Sequence, residues 1–307
     1  QGVYPPGSTF KIVTLLEYMR QYPDEYQNFH FDCDGTYEQG EYTIRCYHGN
    51  AHGSQDIAQC FANSCNGAFA YMGTLLNHDS MKKTAEELLF NKELPLPVPY
   101  SKSTFALSGE SSDWEVLQTS IGQGETQITP IHSLMITSAI ANGGILMKPY
   151  LIDHVESENG KEGTKFLPEV YGSLMSAGEA GVLSGMMERV VTEGTASALQ
   201  TEAYRAAGKT GSAEFETGKE SHAWFTGFAP ADDCRGGRFR RQGGCAHCQG
   251  SDGRLLYAVR PLISRQQKAK HHPCPQFPLQ YLLKRVILGT DRSYTPATRR
   301  DCDDRSN

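Results

Sequence analysis

Apolar residues Phe10, Ile12, Val13, Leu15, Leu16 and Met19 recur at helical spacing over residues 9–20, which predicts a helix almost at the start of the chain. Residues 32–45 are polar and carry glycine, a pattern for loop and hairpin. Residues 54–60 and 66–76 predict two short helices, the second with Phe69, Met72, Gly73 and Leu76 on one side. The proline-rich run 91–99 is excluded from regular helix. Thr129-Pro130 opens another helix, with proline in its first turn. Its apolar side runs through Ile131, Leu134, Met135 and Ala139, and it stops at Gly143-Gly144. Residues 145–155 predict a strand and 179–191 a further helix. Residues 203–215 and 223–229, around a turn at Thr217-Gly218-Lys219, predict a β-hairpin. Helices therefore dominate, with one clear hairpin late in the chain.

Composition changes this picture in one place. The 307 residues are 38% hydrophobic and 21% charged, a globular balance with room for one large domain or two ordinary ones. There is no run of 18 apolar residues and no secretory apolar core near the start. The net charge of −6 conceals a split. Residues 1–233 hold 14 Lys and Arg against 30 Asp and Glu, whereas residues 234–307 hold 15 against 5. The second part also carries five of the nine cysteines and has no Glu, Met or Trp, so Asp233–Cys234 is a boundary.

Three short stretches carry candidate chemistry. Ser8 and Lys11 lie three apart at a helix start, so they share one face. A lysine held there out of water can lose its proton readily enough to activate the hydroxyl. In "FANSCNGAF", Ser64 and Asn66 flank Cys65 between two helices, offering a hydroxyl to pass a proton and an amide to hold a lysine or a carbonyl. In "AAGKTGSAEF", Lys209, Thr210, Gly211 and Ser212 sit on an edge strand, with groups for a carboxylate and an N–H for an oxyanion. Taken alone, the first two stretches are better read as a helix cap with a solvated charge and as a second capping site, and the third could be an ordinary charged strand with a turn.

Their order is informative. Ser-x-x-Lys, then Ser-x-Asn, then Lys-Thr-Gly is the motif set of penicillin-binding proteins and class A β-lactamases. Over residues 1–230 the sequence resembles the transpeptidase domain of class B penicillin-binding proteins. "YPPGSTFK", "SCN", "GQGETQITP", "ANGG", "EGTA", "GKTGSAE" and "HAWFTGFAP" all carry the likeness. The resemblance implies an α/β (α+β) fold of the transpeptidase/β-lactamase type, helices beside an antiparallel sheet. It implies a D,D-transpeptidase that cross-links peptidoglycan stem peptides ending in D-Ala-D-Ala, works on the outer face of the bacterial cytoplasmic membrane, and is acylated by β-lactams. Ser8 is then the nucleophile, Lys11 its base, Ser64 a proton relay, and Asn66 the group positioning Lys11 and the substrate amide. Lys209 and Thr210 bind the terminal carboxylate, Gly211 lets substrate lie along the strand, and the N–H groups of Ser8 and Ser212 form the oxyanion hole. The mechanism so implied uses no metal or organic cofactor and no nucleic acid. D,D-carboxypeptidase, β-lactamase, and a β-lactam sensor or inactive fragment remain the alternatives within the fold. A Ser-His-Asp hydrolase fits poorly: there is no Gly-x-Ser-x-Gly, and only His48, His52 and His222 lie near candidate site loops.

The cysteines divide similarly. Cys33 and Cys46 bracket a hairpin-like loop and are candidates for a disulfide, while Cys65 reads as a small buried residue. Two expectations depart from the family pattern. Only seven residues precede Ser8, so the two family strands before that helix, and a membrane anchor, are expected outside this sequence. Residues 1–233 then read as a partial transpeptidase domain whose sheet is reduced to two strands. For residues 234–307 three readings compete: a zinc module around Cys245-x-x-Cys248, a basic nucleic-acid arm, or translation in a shifted frame. The composition break just where a core strand is due favours the last, a tail without a fold of its own.

Overall fold

The structure is a computed structural model that describes residues 2–152, 154–157, 159, 162–201, 204–213, 222–229 and 256–262. The turn expected at 217–219, the Cys245-x-x-Cys248 pair and the short apolar run 281–288 lie outside the described residues. In chain order, α1 (Lys11–Gln21) is followed by β1 (His30–Cys33), the hairpin β2 (Thr36–Gln39) and β3 (Tyr42–Arg45), and β4 (Gly53–Asp56). Five helices come next: α2 (Ile57–Ala62), α3 (Asn66–Leu75), α4 (His78–Glu87), α5 (Asp113–Ser120) and α6 (Pro130–Ala141). Short strands β5 (Ile145–Met147), β6 (His154–Glu156), β7 (Glu162–Lys165) and β8 (Val170–Ser173) lead to α7 (Ala177–Thr192). Strands β9 (Ala207–Ala213), β10 (His222–Ala229) and β11 (Leu256–Leu262) complete the described chain.

Helix α1 is the hub. Its residues from Lys11 to Met19 are all buried, so the amphipathic stripe read from sequence widens to the whole circumference. It contacts α3, α4 and α7. Two of its polar residues reach those neighbours. Buried Glu17 accepts a hydrogen bond from Thr84 Oγ1 at 2.5 Å, and Arg20 pairs with Glu179 at 2.6 Å and Glu87 at 2.7 Å. Helix α6 forms a second buried axis. Its Thr137 hydroxyl meets that of Thr226 on β10 at 2.5 Å, and His132 Nε2 lies 2.6 Å from the Leu88 carbonyl just past α4.

Several local departures from the sequence pattern have clear causes. The helix expected over 54–60 starts only at Ile57, because Asp56 forms a capping box with Gln59 and residues 53–56 pair with β1 instead. The strand expected over 145–155 is two strands: β5 pairs with β8 and β6 with β7, with Pro149 between them unable to donate to a ladder. Helices α4 and α5 lie in polar sequence and are set by caps at Asn77 and Ser112.

The late hairpin is present as the antiparallel pair β9–β10, but its sheet has three strands, in the order β11–β10–β9. This corrects the expectation of a two-stranded remnant. The added strand comes from the tail, from "LYAVRPL", whose Tyr and Val favour strand and which, among the described residues, pairs only with β10. On the opposite edge lies β9, beside the turn that carries Ser8.

Candidate active site

Ser8 sits in a 3₁₀ turn, Gly7–Phe10, that runs directly into α1. Pro6 is the capping position, so the Ser8 hydroxyl is not spent as a helix cap. The turn is fixed from two sides by close backbone approach. On one side, Gly7 N–H donates to the Gly122 carbonyl at 2.9 Å, and Tyr4 exchanges hydrogen bonds with Ile128 at 3.0 and 2.8 Å. Gly122 has φ +81°, and a Cβ there would lie 1.9 Å from Gly7 O. On the other side, β9 presses in at Gly211, where a Cβ would stand 3.1 Å from Thr9 N and 3.2 Å from Pro6 O. A Cβ on Gly7 would in turn come within 2.6 Å of Ser212 O, so Ser8 and Ser212 belong to segments in direct backbone contact.

Lys11 is fully buried, not a solvated charge. Its Nζ donates to Asn66 Oδ1 at 2.7 Å, to the Ser64 carbonyl at 2.7 Å and to Ser64 Oγ at 3.3 Å. Asn66 is held in turn by donating to the Arg45 carbonyl at 2.9 Å. Ser64 adopts φ +56°, a left-handed backbone uncommon for serine. That conformation turns the chain between α2 and α3 so that both the carbonyl and the hydroxyl of Ser64 face Lys11. The cap of α3 is Cys65, whose sulfur accepts from Ala68 N–H at 3.4 Å. Burial lowers the Lys11 pKa to about 8, with the nearby Cys65, Cys46 and Cys60 pulling it partly back up.

Lys209 on β9 is also fully buried, over the Phe61 ring at 5.5 Å, and donates to the Thr210 carbonyl at 3.2 Å. Its pKa is pushed well below the usual lysine value by burial and then by the Lys11 charge, which puts the two ammonium groups in one electrostatic neighbourhood. The Thr210 hydroxyl meets that of Thr195 at 2.6 Å, bringing the "EGTA" loop to the strand. Ser212 is exposed on the same edge. All eight residues singled out from sequence thus lie on three elements that touch: the Ser8 turn with α1, the 64–66 loop, and β9. Of the three histidines near site loops, His222 begins β10 and stacks edge-on against Tyr4 at 5.1 Å between ring centroids.

Sequence reasoning missed a cluster directly behind this site. Cys33, Cys46, His52 and Cys65 place their donor atoms within 4.8 Å of one another. Cys33 and Cys46, the candidate disulfide, are free thiols with sulfurs 3.6 Å apart. Cys46 Sγ is 3.7 Å from Cys65 Sγ, and Cys33 Sγ is 3.3 Å from His52 Nδ1. Hydrogen bonding from the Cys65 thiol, and then from Gly67 N–H, the Cys33 thiol and Asn66 N–H, holds the Cys46 thiol below its ordinary pKa, while the same contact with Cys46 and burial push Cys65 up. Cys60, outside the cluster, is raised to about 12 by burial. The available signal was the spacing Cys-x₁₂-Cys-x₅-His-x₁₂-Cys, which spans three turns and gives no short metal-ligand signature.

Residues 1–235 match the family described as penicillin binding protein transpeptidase domain. Stage V sporulation protein D of Bacillus subtilis is 31% identical over 239 residues, covering 76% of this chain and 37% of that protein. Peptidoglycan D,D-transpeptidase PbpA of Mycolicibacterium smegmatis is 29% identical, over 75% of this chain and 48% of its own. The chain thus spans less than half the length of these curated relatives. Among solved structures, the D,D-transpeptidase domain of a peptidoglycan glycosyltransferase from Eggerthella lenta is 33% identical with a TM-score of 0.68, covering 76% of this chain and 58% of that one. Penicillin-binding protein A from M. tuberculosis, solved as an imipenem acyl-enzyme complex, is 25% identical with a TM-score of 0.67, covering 75% and 53%. With a family match across residues 1–235 and solved folds aligning with three quarters of it, the chain belongs to the class B penicillin-binding protein transpeptidase family, with its α/β, β-lactamase-like fold.

Proposed function

We propose that the chain is a serine D,D-transpeptidase that cross-links peptidoglycan stem peptides through an acyl-Ser8 intermediate. One observation carries this reading. A fully buried Lys11 is gripped by Ser64 and Asn66 while β9 is pressed against the Ser8 turn at Gly211. Neutral Lys11 takes the Ser8 proton as Oγ attacks the carbonyl of the penultimate D-Ala. The N–H groups of Ser8 and Ser212 receive the developing oxyanion. The C–N bond to the terminal D-Ala then breaks as Lys11 gives that proton, through Ser64, to the leaving amine. An amine of a second stem peptide attacks the ester and gives up a proton to Lys11, which passes it to Ser8 Oγ as the ester bond breaks. Lys209 and Thr210 hold the terminal carboxylate of the donor peptide, and Asn66 orients the substrate amide and Lys11.

β-Lactams, which resemble the D-Ala-D-Ala end, would stop the cycle at acyl-Ser8. That reading is supported by the imipenem acyl-enzyme of the M. tuberculosis relative. The proposed substrate places the site of action at the extracytoplasmic face of the bacterial cytoplasmic membrane. Among the described residues no helix is long and apolar enough to cross a membrane. Residues 1–233 supply every proposed catalytic group, and we read 234–307 as lying outside the catalytic unit, apart from the strand β11 it lends to the sheet.

Labelling with a fluorescent penicillin tests the reading. The expected result is a stable adduct mapped by mass to the peptide containing Ser8 and abolished by Ser8→Ala. Rapid release of hydrolysed penicillin would instead indicate a carboxypeptidase or β-lactamase. An adduct on Ser64 or Cys65 would overturn the assignment, and no adduct at all would favour a non-catalytic fragment.

A further inference from the structure

We propose that Thr195 is a positioning residue for the donor peptide: its hydroxyl donates to Thr210 and so turns the Thr210 proton toward the terminal carboxylate of the substrate. Such a role rests on the reading of Lys209 and Thr210 as the carboxylate site. The two hydroxyl oxygens stand 2.6 Å apart, at the short end of the O–H···O range. A hydroxyl owns one proton and accepts through its lone pairs. A carboxylate brings no proton, so Thr210 must spend its own on it and can only accept from Thr195. The Thr195 O–H is then the donor between the two. A one-way chain runs from Thr195 through Thr210 to the carboxylate, and each bond polarises the next.

The backbone around Thr195 holds that hydroxyl in place. Thr195 lies just past the end of α7, and its N–H donates to the Ala62 carbonyl at the end of α2 at 3.1 Å. Buried Ala196 donates back to the Val190 carbonyl at 3.0 Å. Gly194 lies so close to α2 that a Cβ on it would stand 2.2 Å from Ala62 O, so a side chain there would push the loop away. Ala62 comes just ahead of Ser64, and its neighbour Phe61 carries the Lys209 ammonium over its ring. Thr195 therefore joins the end of α2 to β9, main chain to the first and side chain to the second.

Burial assigns different work to the two members of the carboxylate site. Lys209 is fully buried and its Nζ donates to the Thr210 carbonyl, so it supplies positive charge from beneath. Thr210 is half-buried and Thr195 exposed, so their hydroxyls form the part of the site that solvent and substrate reach first. An unheld hydroxyl rotates to suit whichever acceptor is near. Thr195 removes that freedom before the substrate arrives, and the cost of ordering the donor is not met at binding.

The test compares acylation of the full chain by benzylpenicillin and by its methyl ester, which lacks the anionic carboxylate. Thr195→Val keeps the size of the side chain and the N–H to Ala62 but removes the hydroxyl, whereas Thr195→Ser keeps the hydroxyl. Thr195→Val should slow benzylpenicillin at least about tenfold and the ester by less than about twofold, the loss expected for one hydrogen bond to a charged group. Thr195→Ser should restore the wild-type ratio of the two rates. That ratio does not depend on the fraction of protein that is folded, so a less stable variant still gives an answer. In a Thr210→Val background, where no hydroxyl remains to be aimed, adding Thr195→Val should change neither rate. An unchanged ratio in Thr195→Val, whether both rates fall or neither does, would overturn the proposal, as would faster acylation by benzylpenicillin. A further loss with benzylpenicillin in the Thr210→Val background would put Thr195 on the carboxylate itself and overturn the relay. Wild-type protein acylated by neither compound would overturn the transpeptidase reading, and this role with it.

Discussion

Lys11 can act as a base only in its neutral form, and burial has brought its pKa to about 8. The groups facing it are Lys209 from β9, Cys60 from α2, and Cys46 and Cys65 from the loops behind it. The penicillin acylation rate should therefore rise about tenfold per pH unit below 8 and level off above it. Stopped-flow acylation from pH 6 to 9.5 checks this, and a flat profile would remove Lys11 from the base role. Lys11→Arg, which stays charged throughout, should lose at least about a thousandfold at every pH. At this scale the sequence was highly legible. Ser8, Lys11, Ser64, Asn66 and Lys209–Ser212 are specified by residue type and by spacings within one turn or one strand. Cys33, Cys46, His52 and Cys65 were not legible as a set, since their meeting depends on how the β2–β3 hairpin and β4 fold back upon α3.

Elements position that chemistry through places where no side chain fits. Gly122→Ala would put a Cβ 1.9 Å from Gly7 O at φ +81°, against backbone that cannot swing away. The Ser8 turn must then shift relative to β9, and penicillin acylation should fall by about a hundredfold or more even in folded protein. Gly143 is the control: φ is also positive, at +62°, but nothing lies within 4 Å of its Cβ position. Gly143→Ala should cost only about 1 kcal/mol of stability and leave the acylation rate unchanged. Acylation rates and urea midpoints for the two variants separate the cases, and equal loss of activity in both would refute the close-approach argument. Arg20 is the corresponding tie between helices, joining α1 to Glu87 and to Glu179 of α7. It remains partly exposed, so Arg20→Ala should lower stability by only about 1–2 kcal/mol, again read from urea unfolding. The helices α1, α3, α6 and α7 could be read from their apolar periodicity or their glycine and proline boundaries. Helices α4 and α5 could not, because polar residues dominate them. Only a cap such as Ser112-x-x-Glu115 announced α5, and a cap without an apolar stripe is a weak signal.

At the scale of the whole molecule, α6 is where the helical part meets the sheet, and His132 is the titratable group buried within it. Its Nε2 faces the Leu88 carbonyl at 2.6 Å, an acceptor, so Nε2 carries the proton and Nδ1 is the bare nitrogen. Among the described residues Nδ1 has no hydrogen-bond partner, and burial lowers the His132 pKa to about 4 from an ordinary 6.5. A second proton would place a charge on Nδ1 with nothing to accept from it. The unfolded chain protonates as pH falls through about 6.5, while the native protein resists until about 4. Between those values the unfolded state binds more protons, so stability must fall with falling pH across that window and then level off with respect to this group. The full effect is about 3 kcal/mol, a large share of a domain margin of about 5–15 kcal/mol. The cost falls on the contact between the end of α4 and α6, and through Thr137 and Thr226 it reaches β10. Loss of this contact should therefore be global, with acid unfolding removing penicillin labelling and the helical signal together. Urea unfolding of the wild type and His132→Gln from pH 7 to 4 measures it, since glutamine can still donate to Leu88 O but cannot charge. The variant should start less stable at pH 7 and lose about 3 kcal/mol less over the window, so that the two curves converge near pH 4. Parallel curves would show that another group sets the acid limit of the fold.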